Sequence, residues 1–257
     1  MRQGTRAVAG AVALIGALAA AAPAMAADRD SRSRVIAVEG VAKGNASRQV
    51  DILVEVPAGA SARGAGDRAL AAQGATRAKP KAQPPQSNTY TFTGLKWDVL
   101  PVVQNYNGAG AVVSGANAAL TNTYPVWSNV SGSRYKISSG GATTRCPSLV
   151  RECRGAQRND RFNDVGWARL SNGILGVTWS TSGIDEADMA INTRYVWNTG
   201  CVNRTGSFDL QTVYLHENGH VAGLGHSSDP NAVMYPSYQT ARCTLGQDDK
   251  NGIAALY

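Results

Sequence analysis

The sequence predicts an α+β fold in which short strands alternate with a few helices. Brief windows of alternating apolar residues, separated by clusters of Gly, Ser and Asn, favour strands. Apolar residues at helical spacing favour a helix over 109–127, and capping patterns favour further helices over 210–223 and 247–256. The main strand candidates are 89–103, 135–138, 164–170 and 175–180.

The first 26 residues have the pattern of a secretory signal peptide. Arg2 and Arg6 provide a positive start, residues 7–22 are apolar, and Ala24 and Ala26 form a small-x-small cleavage site. The apolar run is too short for a membrane anchor. We therefore expect a secreted, extracellular protein without a membrane anchor.

Three segments are predicted after the signal. Residues 27–77 contain two strand patterns and a possible helix, too little chain for a large independent core, and form a pro-segment or a retained accessory region. Residues 78–88 are rich in Pro and Lys, the composition of an exposed linker. Residues 89–257 have the length of one catalytic domain.

The basic residues are distributed unevenly along the chain. The formal net charge is +7, but 12 of the 25 basic and only 6 of the 18 acidic residues precede residue 89. The remaining region is nearly balanced, so the net charge does not indicate a nucleic-acid partner.

The four cysteines form an even set in an exported chain, which favours two disulfides. Three connectivities are open. We favour Cys146–Cys153, which would close a small loop, and Cys201–Cys243, which would join segments on either side of the 210–223 helix. The alternative, a cysteine-ligated metal, lacks the usual C-x-x-C spacing.

The most informative segment reads H-E-x-x-H-x-x-G-x-x-H from His216 to His226. On a helix, His216 and His220 lie one turn apart on one face, where both imidazoles can bind one metal ion. Gly223 allows a sharp turn that brings His226 in as a third ligand. Three histidines with an open fourth position are typical of catalytic zinc, and Glu217 is placed to act as general base.

The motif and its surroundings resemble the matrixins, a metzincin family of zinc proteases that includes the matrix metalloproteinases and bacterial secreted relatives. Ser227 follows the third histidine, as in matrixins, and residues 232–238 are similar to their Met-turn and specificity-pocket wall. Residues 247–257 resemble the C-terminal helix of the family, and 186–192 its last sheet strand. The resemblance is clear from about residue 176 onward.

The resemblance implies a mixed twisted sheet with a backing helix, an active-site helix, a Met-turn and a C-terminal helix. It implies one catalytic Zn²⁺, with Met234 beneath it as a supporting, non-ligating residue. The implied wall of the substrate pocket is Tyr235, Pro236, Ser237 and Tyr238. Such a pocket favours an apolar side chain on the carboxyl side of the cleaved bond.

The sequence also departs from the family. Matrixin zymogens typically use a pro-segment cysteine to ligate the zinc, whereas no cysteine precedes Cys146. An aspartate could replace it, with Asp67 as one candidate. All three histidines are committed to the motif, so no second zinc site can be built from histidine. Calcium remains an alternative cofactor, although no spacing matches a dedicated loop; the acidic candidates are Asp160, Asp164, Asp185, Glu186 and Asp188.

The sequence therefore predicts a secreted zinc-dependent metalloendopeptidase. Its expected partner is a protein or peptide substrate, and we expect a monomer. The alternative is a secreted binding protein that keeps the metzincin fold but is catalytically silent or very narrow in specificity. Glu217 and the three histidines argue against a catalytically silent protein, because proteins that have lost this activity usually lack one of these residues.

Overall fold

The computed structural model describes residues 33–78, 89–147, 160–181 and 185–257. Its central element is an eight-stranded sheet in the order β3-β1-β2-β7-β8-β6-β4-β5. The strands are Arg34–Ala42 (β1), Asn45–Val56 (β2), Ala75–Arg77 (β3), Val102–Tyr106 (β4), Ile137–Ala142 (β5), Asn163–Ala168 (β6), Ile174–Ser180 (β7) and Ala187–Asn192 (β8). A separate parallel pair joins Trp197–Asn198 (β9) to Phe208–Asp209 (β10).

The sheet is mixed. Strands β5, β4, β6 and β8 pair in parallel, whereas β7 is antiparallel to both β8 and β2. The antiparallel arrangement continues from β2 to β1 and from β1 to β3. This arrangement confirms the predicted α+β class with a mixed sheet.

Five helices accompany the sheet in the described part of the chain. They are Ala62–Ala72 (α1), Ala116–Thr121 (α2), Thr123–Ser128 (α3), Leu210–Val221 (α4) and Gln247–Leu256 (α5). The two C-terminal helices lie where the sequence predicted them. Most of 89–103 is not a strand, because its first residues instead pair with the segment after α4: the N–H of Gly225 donates to the Thr91 carbonyl at 2.9 Å.

The single long helix predicted over 109–127 was wrong. Residues 109–115 form loop and turn, and Gly115 adopts a positive φ of 76° before α2 begins. The Thr123 hydroxyl then donates to the Leu120 carbonyl at 2.6 Å where α2 gives way to α3. Trp127 of α3 is fully buried, which explains the helical apolar spacing of this region.

The sheet has a hydrophobic core on each face. The larger core lies between the sheet and α2, α3 and α4, and it includes Leu215 and Met189. The smaller core is covered by α1, whose Leu70 packs with Ile52 of β2 and Trp179 of β7. Alternate residues of one strand point to opposite faces, so β2 contributes to both cores.

The N-terminal region shares the sheet of the C-terminal region, because β2 pairs along β7 from Gln49↔Ser180 to Val54↔Ile174. The predicted signal peptide (1–26) and most of the predicted linker (79–88) lie outside the described residues. Among the helices that are described, none is long and apolar enough to cross a membrane.

Candidate metal centre and active site

Helix α4 carries the first two histidines of the motif. Its N-cap is Asp209, whose carboxylate accepts from the Thr212 N–H at 2.8 Å and satisfies one of the free donors of the first turn. The helix ends just before Gly223, which has a positive φ of 96° that other residues rarely adopt. The chain then turns back and brings His226 to the same place as His216 and His220.

Each histidine uses its Nδ1 for a hydrogen bond away from the common centre. His216 Nδ1 lies 2.8 Å from the Val233 carbonyl, and His220 Nδ1 lies 3.0 Å from the Leu224 carbonyl. His226 Nδ1 lies 3.0 Å from Oε1 of Glu39. An Nδ1–H bound to such acceptors leaves Nε2 as the free lone pair, which is the arrangement of metal-ligating histidines.

The three imidazoles are grouped closely enough to hold one metal ion, and two of them have the spacing of tetrahedral zinc ligands. Nε2 of His216 and Nε2 of His220 are 3.1 Å apart, close to the roughly 3.3 Å expected for two nitrogens bound tetrahedrally at about 2.0–2.1 Å. His226 Nε2 is buried and has no hydrogen-bond partner in the described structure. Burial, followed by the nearby His226, lowers the pKa of His216 to about 3, so this imidazole is neutral and able to ligate.

Glu217 lies beside this centre and is fully buried. Its Oε2 accepts a hydrogen bond of 2.5 Å from the Thr178 hydroxyl of β7, and its Oε1 has no partner among the described residues. Burial raises the pKa of Glu217 to about 8, although the Thr178 hydrogen bond opposes the shift. Glu217 is thus a carboxyl group with one oxygen fixed and the other free for a proton transfer.

The segment after His226 passes beneath the histidines. Met234 packs against Gly219 of α4, and the Ser227 N–H donates to the Met234 carbonyl at 2.9 Å. Asp249 of α5 fixes this turn, since its carboxylate accepts from the N–H groups of Val233 and Met234 at 2.7 and 3.0 Å. The turn is therefore tied to both helices.

A pocket opens beside His216. It is lined by three of the four predicted wall residues, Tyr235, Ser237 and Tyr238, and by Val213 of α4. The fourth, Pro236, is not part of the lining; its carbonyl accepts from the Ala37 N–H at 2.9 Å. The remaining lining residues are Leu53, Thr212, Pro230, Ala232, Val233, Gln239, Thr240 and Arg242.

The structure contains a Cys201–Cys243 disulfide, which links the β9–β10 region to the segment after the pocket wall. Cys146 is also disulfide-bonded, but Cys153, the partner that the sequence favours, lies outside the described residues.

Other predicted site residues lie elsewhere. Asp67 is half-exposed on α1 and pairs with Arg77 at 3.0 Å, away from the histidines. The acidic calcium candidates are engaged with protein groups: Asp164 receives two hydrogen bonds from Arg145, and Glu186 accepts from the Arg161 N–H. In the described chain, these acids are in neither of the two groups spaced to hold a metal ion.

Sequence reasoning missed four residues that act at or beside the centre: Glu39, Leu53, Thr178 and Arg242. Glu39 and Leu53 lie more than 160 residues before the motif, and no local pattern marks them. Thr178 is one of several polar residues in a strand pattern. Sheet pairing brings Thr178 and Leu53 beside α4 and Glu39 to His226, whereas Arg242 lies in the loop after the pocket wall.

Comparison with known proteins shows similarity to one family of metalloproteases. Residues 159–257 match the matrixin family. The chain is 29% identical to human neutrophil collagenase over 187 residues, which is 70% of this chain and 37% of the relative. It is 54% identical over 55 residues to metalloendoproteinase 1 of Glycine max, covering 21% of this chain and 18% of the relative. Equine interstitial collagenase is 33% identical over 142 residues, 54% of this chain and 27% of the relative.

The chain spans less than two fifths of the length of each of these relatives. The fold, the three-histidine site and the family match together define a matrixin-like domain of the metzincin metalloprotease class. The resemblance stated from the sequence is thereby confirmed.

Proposed function

We propose that this protein is a secreted zinc-dependent endopeptidase. The observation that carries the proposal is the convergence of three imidazoles with a buried carboxyl group that has one free oxygen. This combination suits hydrolysis by an activated water. The likeness to two collagenases and a metalloendoproteinase supports the same activity.

The histidines, Glu217 and Thr178 have different roles in hydrolysis. His216, His220 and His226 hold the zinc, which when bound polarises the scissile carbonyl and makes water more acidic. Glu217 takes the proton from the attacking water at its free Oε1 and passes it to the leaving amine. Thr178 holds the other carboxylate oxygen, so Glu217 keeps one orientation through both transfers.

The pocket selects the substrate side chain on the carboxyl side of the cut. Its position beside His216 places a bound side chain next to the scissile bond. Val213, Val233 and the rings of Tyr235 and Tyr238 give it apolar walls. We therefore expect cleavage before residues such as Leu in preference to acidic residues.

We also propose that the chain consists of four functional segments. Residues 1–26 direct export, 27–77 precede a linker at 78–88, and 89–257 form the catalytic domain. Lys81, which is followed by Ala82, makes the linker a site for trypsin-like cleavage, whereas the bond between Lys79 and Pro80 resists it.

The test is hydrolysis of a quenched peptide library by the exported chain, before and after limited trypsin digestion. The matched control is Glu217→Gln, which keeps the size of the side chain and the hydrogen bond to Thr178. Activity that a zinc chelator removes, that zinc restores and that the variant lacks would support the proposal. A folded, zinc-loaded chain that cleaves nothing even after digestion has removed the residues before the linker would contradict it and favour the binding-protein alternative.

A further inference from the structure

The hairpin formed by β1 and β2 lies against the catalytic centre, although it belongs to the N-terminal region. Strand β7 carries Thr178 and contacts α4, so it is the strand next to Glu217. An extended peptide that binds beside Glu217 as a strand would pair with the edge of β7 that faces away from β8. In the structure, β2 occupies this edge over six paired positions.

The same hairpin reaches the opposite rim of the cleft. The Ala37 N–H of β1 donates to the carbonyl of Pro236 in the predicted pocket wall. Ala37 pairs with Leu53 across the hairpin, and Leu53 in turn pairs with Gly176 of β7. This single cross-strand pair therefore connects β7 to the pocket wall. The backbone of the hairpin is thus hydrogen-bonded to both sides of the cleft, to β7 on one side and to Pro236 on the other.

Leu53 brings an apolar side chain to the pocket itself. It is 2% exposed and is one of the residues that line the pocket, together with His216 and Tyr238. Gly176, its partner on β7, has no side chain to separate the strand from α4: a β-carbon there would lie 3.3 Å from Oε1 of Glu217. Leu53 therefore lies where the pocket faces the catalytic carboxyl group.

Glu39 brings the hairpin into contact with a metal ligand. Its Oε1 accepts from the His226 backbone N–H at 3.2 Å as well as lying 3.0 Å from Nδ1. The register places Glu39, Asp51 and Thr178 side by side on β1, β2 and β7. Asp51 is completely buried, and its Oδ2 has no partner in the described structure. By strand alternation, Glu39 and Asp51 lie on the same face of the hairpin as Leu53, which is the face that packs toward α4.

We propose that the β1–β2 hairpin is an autoinhibitory occupant of the substrate cleft, which blocks the β7 edge with β2 and the pocket mouth with Leu53. This inference rests on the proposed function, because it assumes that substrate binds along β7. It gives residues 27–77 the role of a latency segment that needs neither a cysteine nor Asp67. Activation then requires that the hairpin leave β7, and cleavage in the linker alone does not suffice.

The test measures access to the cleft directly, without relying on catalysis. The probe is a peptide hydroxamate with a leucine side chain, which binds zinc and fills the pocket, titrated into the zinc-loaded full chain. Two variants weaken the hairpin: Leu53→Asp places a charge at the pocket, and Ala37→Pro removes the N–H that bonds to Pro236. Lys43→Asp is the matched control, since Lys43 is exposed at the turn between β1 and β2 and does not line the pocket.

We expect each cleft variant to bind the probe at least tenfold more tightly than the wild type, and the control to match the wild type. In the wild type, saturating probe should increase hydrogen exchange at the amides of residues 49–54 by at least tenfold. Equal affinities in all four proteins, with those amides still protected when the probe is bound, would overturn the proposal. Competition between probe and hairpin in a chain that hydrolyses no peptide would support this inference while the proposed function fails.

Discussion

Gly219 and Met234 are packed so closely that no side chain fits between them. A β-carbon on Gly219 would overlap the Met234 sulfur and would lie 3.0 Å from Cζ2 of Trp127. A glycine inside α4 costs about 1 kcal/mol of helix propensity relative to alanine. The contact explains why α4 contains it, because the turn beneath the histidines can approach only a bare backbone.

Gly219→Ala is therefore expected to destabilise the protein despite the gain in helix propensity. Overpacking costs about 1–3 kcal/mol, so the net loss should reach about 2 kcal/mol in the free energy of unfolding. Chemical denaturation measures it. Gly64→Ala is the matched control, since a β-carbon at that helical position would make only ordinary contacts, with the side chains of Arg68 at 3.4 Å and Ser61 at 3.7 Å, and the variant should be neutral or stabilising. Equal stability changes in the two variants would contradict the packing argument.

Glu217→Gln should remove catalysis and leave the metal. The amide cannot accept the proton of water, so kcat should fall by roughly 10²–10⁴-fold. The three histidines are unchanged, so the zinc content should remain one per chain. Steady-state kinetics with metal analysis would check both values, and a variant that kept its activity would remove Glu217 from the role of base.

Glu39→Gln should weaken zinc binding in the full chain. Loss of the carboxylate at His226 Nδ1 removes the group that fixes this ring, and such partners contribute roughly 10–100-fold to metal affinity. Competition with a chromogenic chelator measures the affinity. Glu55→Gln, a change of the same kind on β2, is the control and should bind zinc like the wild type. An unchanged affinity in Glu39→Gln would show that Glu39 does not support the metal centre.

Asp249→Asn should loosen the turn that carries Met234. The carboxylate accepts three backbone hydrogen bonds, including one of 2.8 Å from Gly246, and an amide cannot accept all three. Hydrogen bonds to charged groups contribute about 1.5–3 kcal/mol each, so we expect a loss of at least about 2 kcal/mol. Thermal unfolding measures the loss, with the exposed Lys250→Gln on the same helix as a control that should leave the melting temperature unchanged.

Replacing both Cys201 and Cys243 by Ser should lower stability without removing the active centre. The bond joins residues 42 apart, and restricting a loop of this length in the unfolded chain stabilises the fold by about 2–4 kcal/mol. Urea denaturation measures the difference, and zinc content serves as the control for an intact centre. A double variant as stable as the wild type would show that the cross-link is dispensable for the fold.

The structure agrees with the sequence most closely where local patterns are strong. The motif from His216 to His226 requires a helix followed by a sharp turn, and α4 with Gly223 provides both. The predicted helix over 247–256 has the same bounds in the structure. The 109–127 prediction failed because apolar spacing records burial of residues such as Trp127, and burial does not require one continuous helix.

The sequence by itself determined the chemistry of the centre, since a fixed spacing on one helix places two imidazoles and a carboxyl group together without help from the rest of the chain. Only the tertiary structure decided what surrounds it. Thr178, Leu53 and Glu39 reach the centre from strands that are distant in sequence, through sheet pairing that no local pattern specifies. Strand register depends on long-range contacts, so both the support of His226 and the occupation of the cleft appear only in the folded chain.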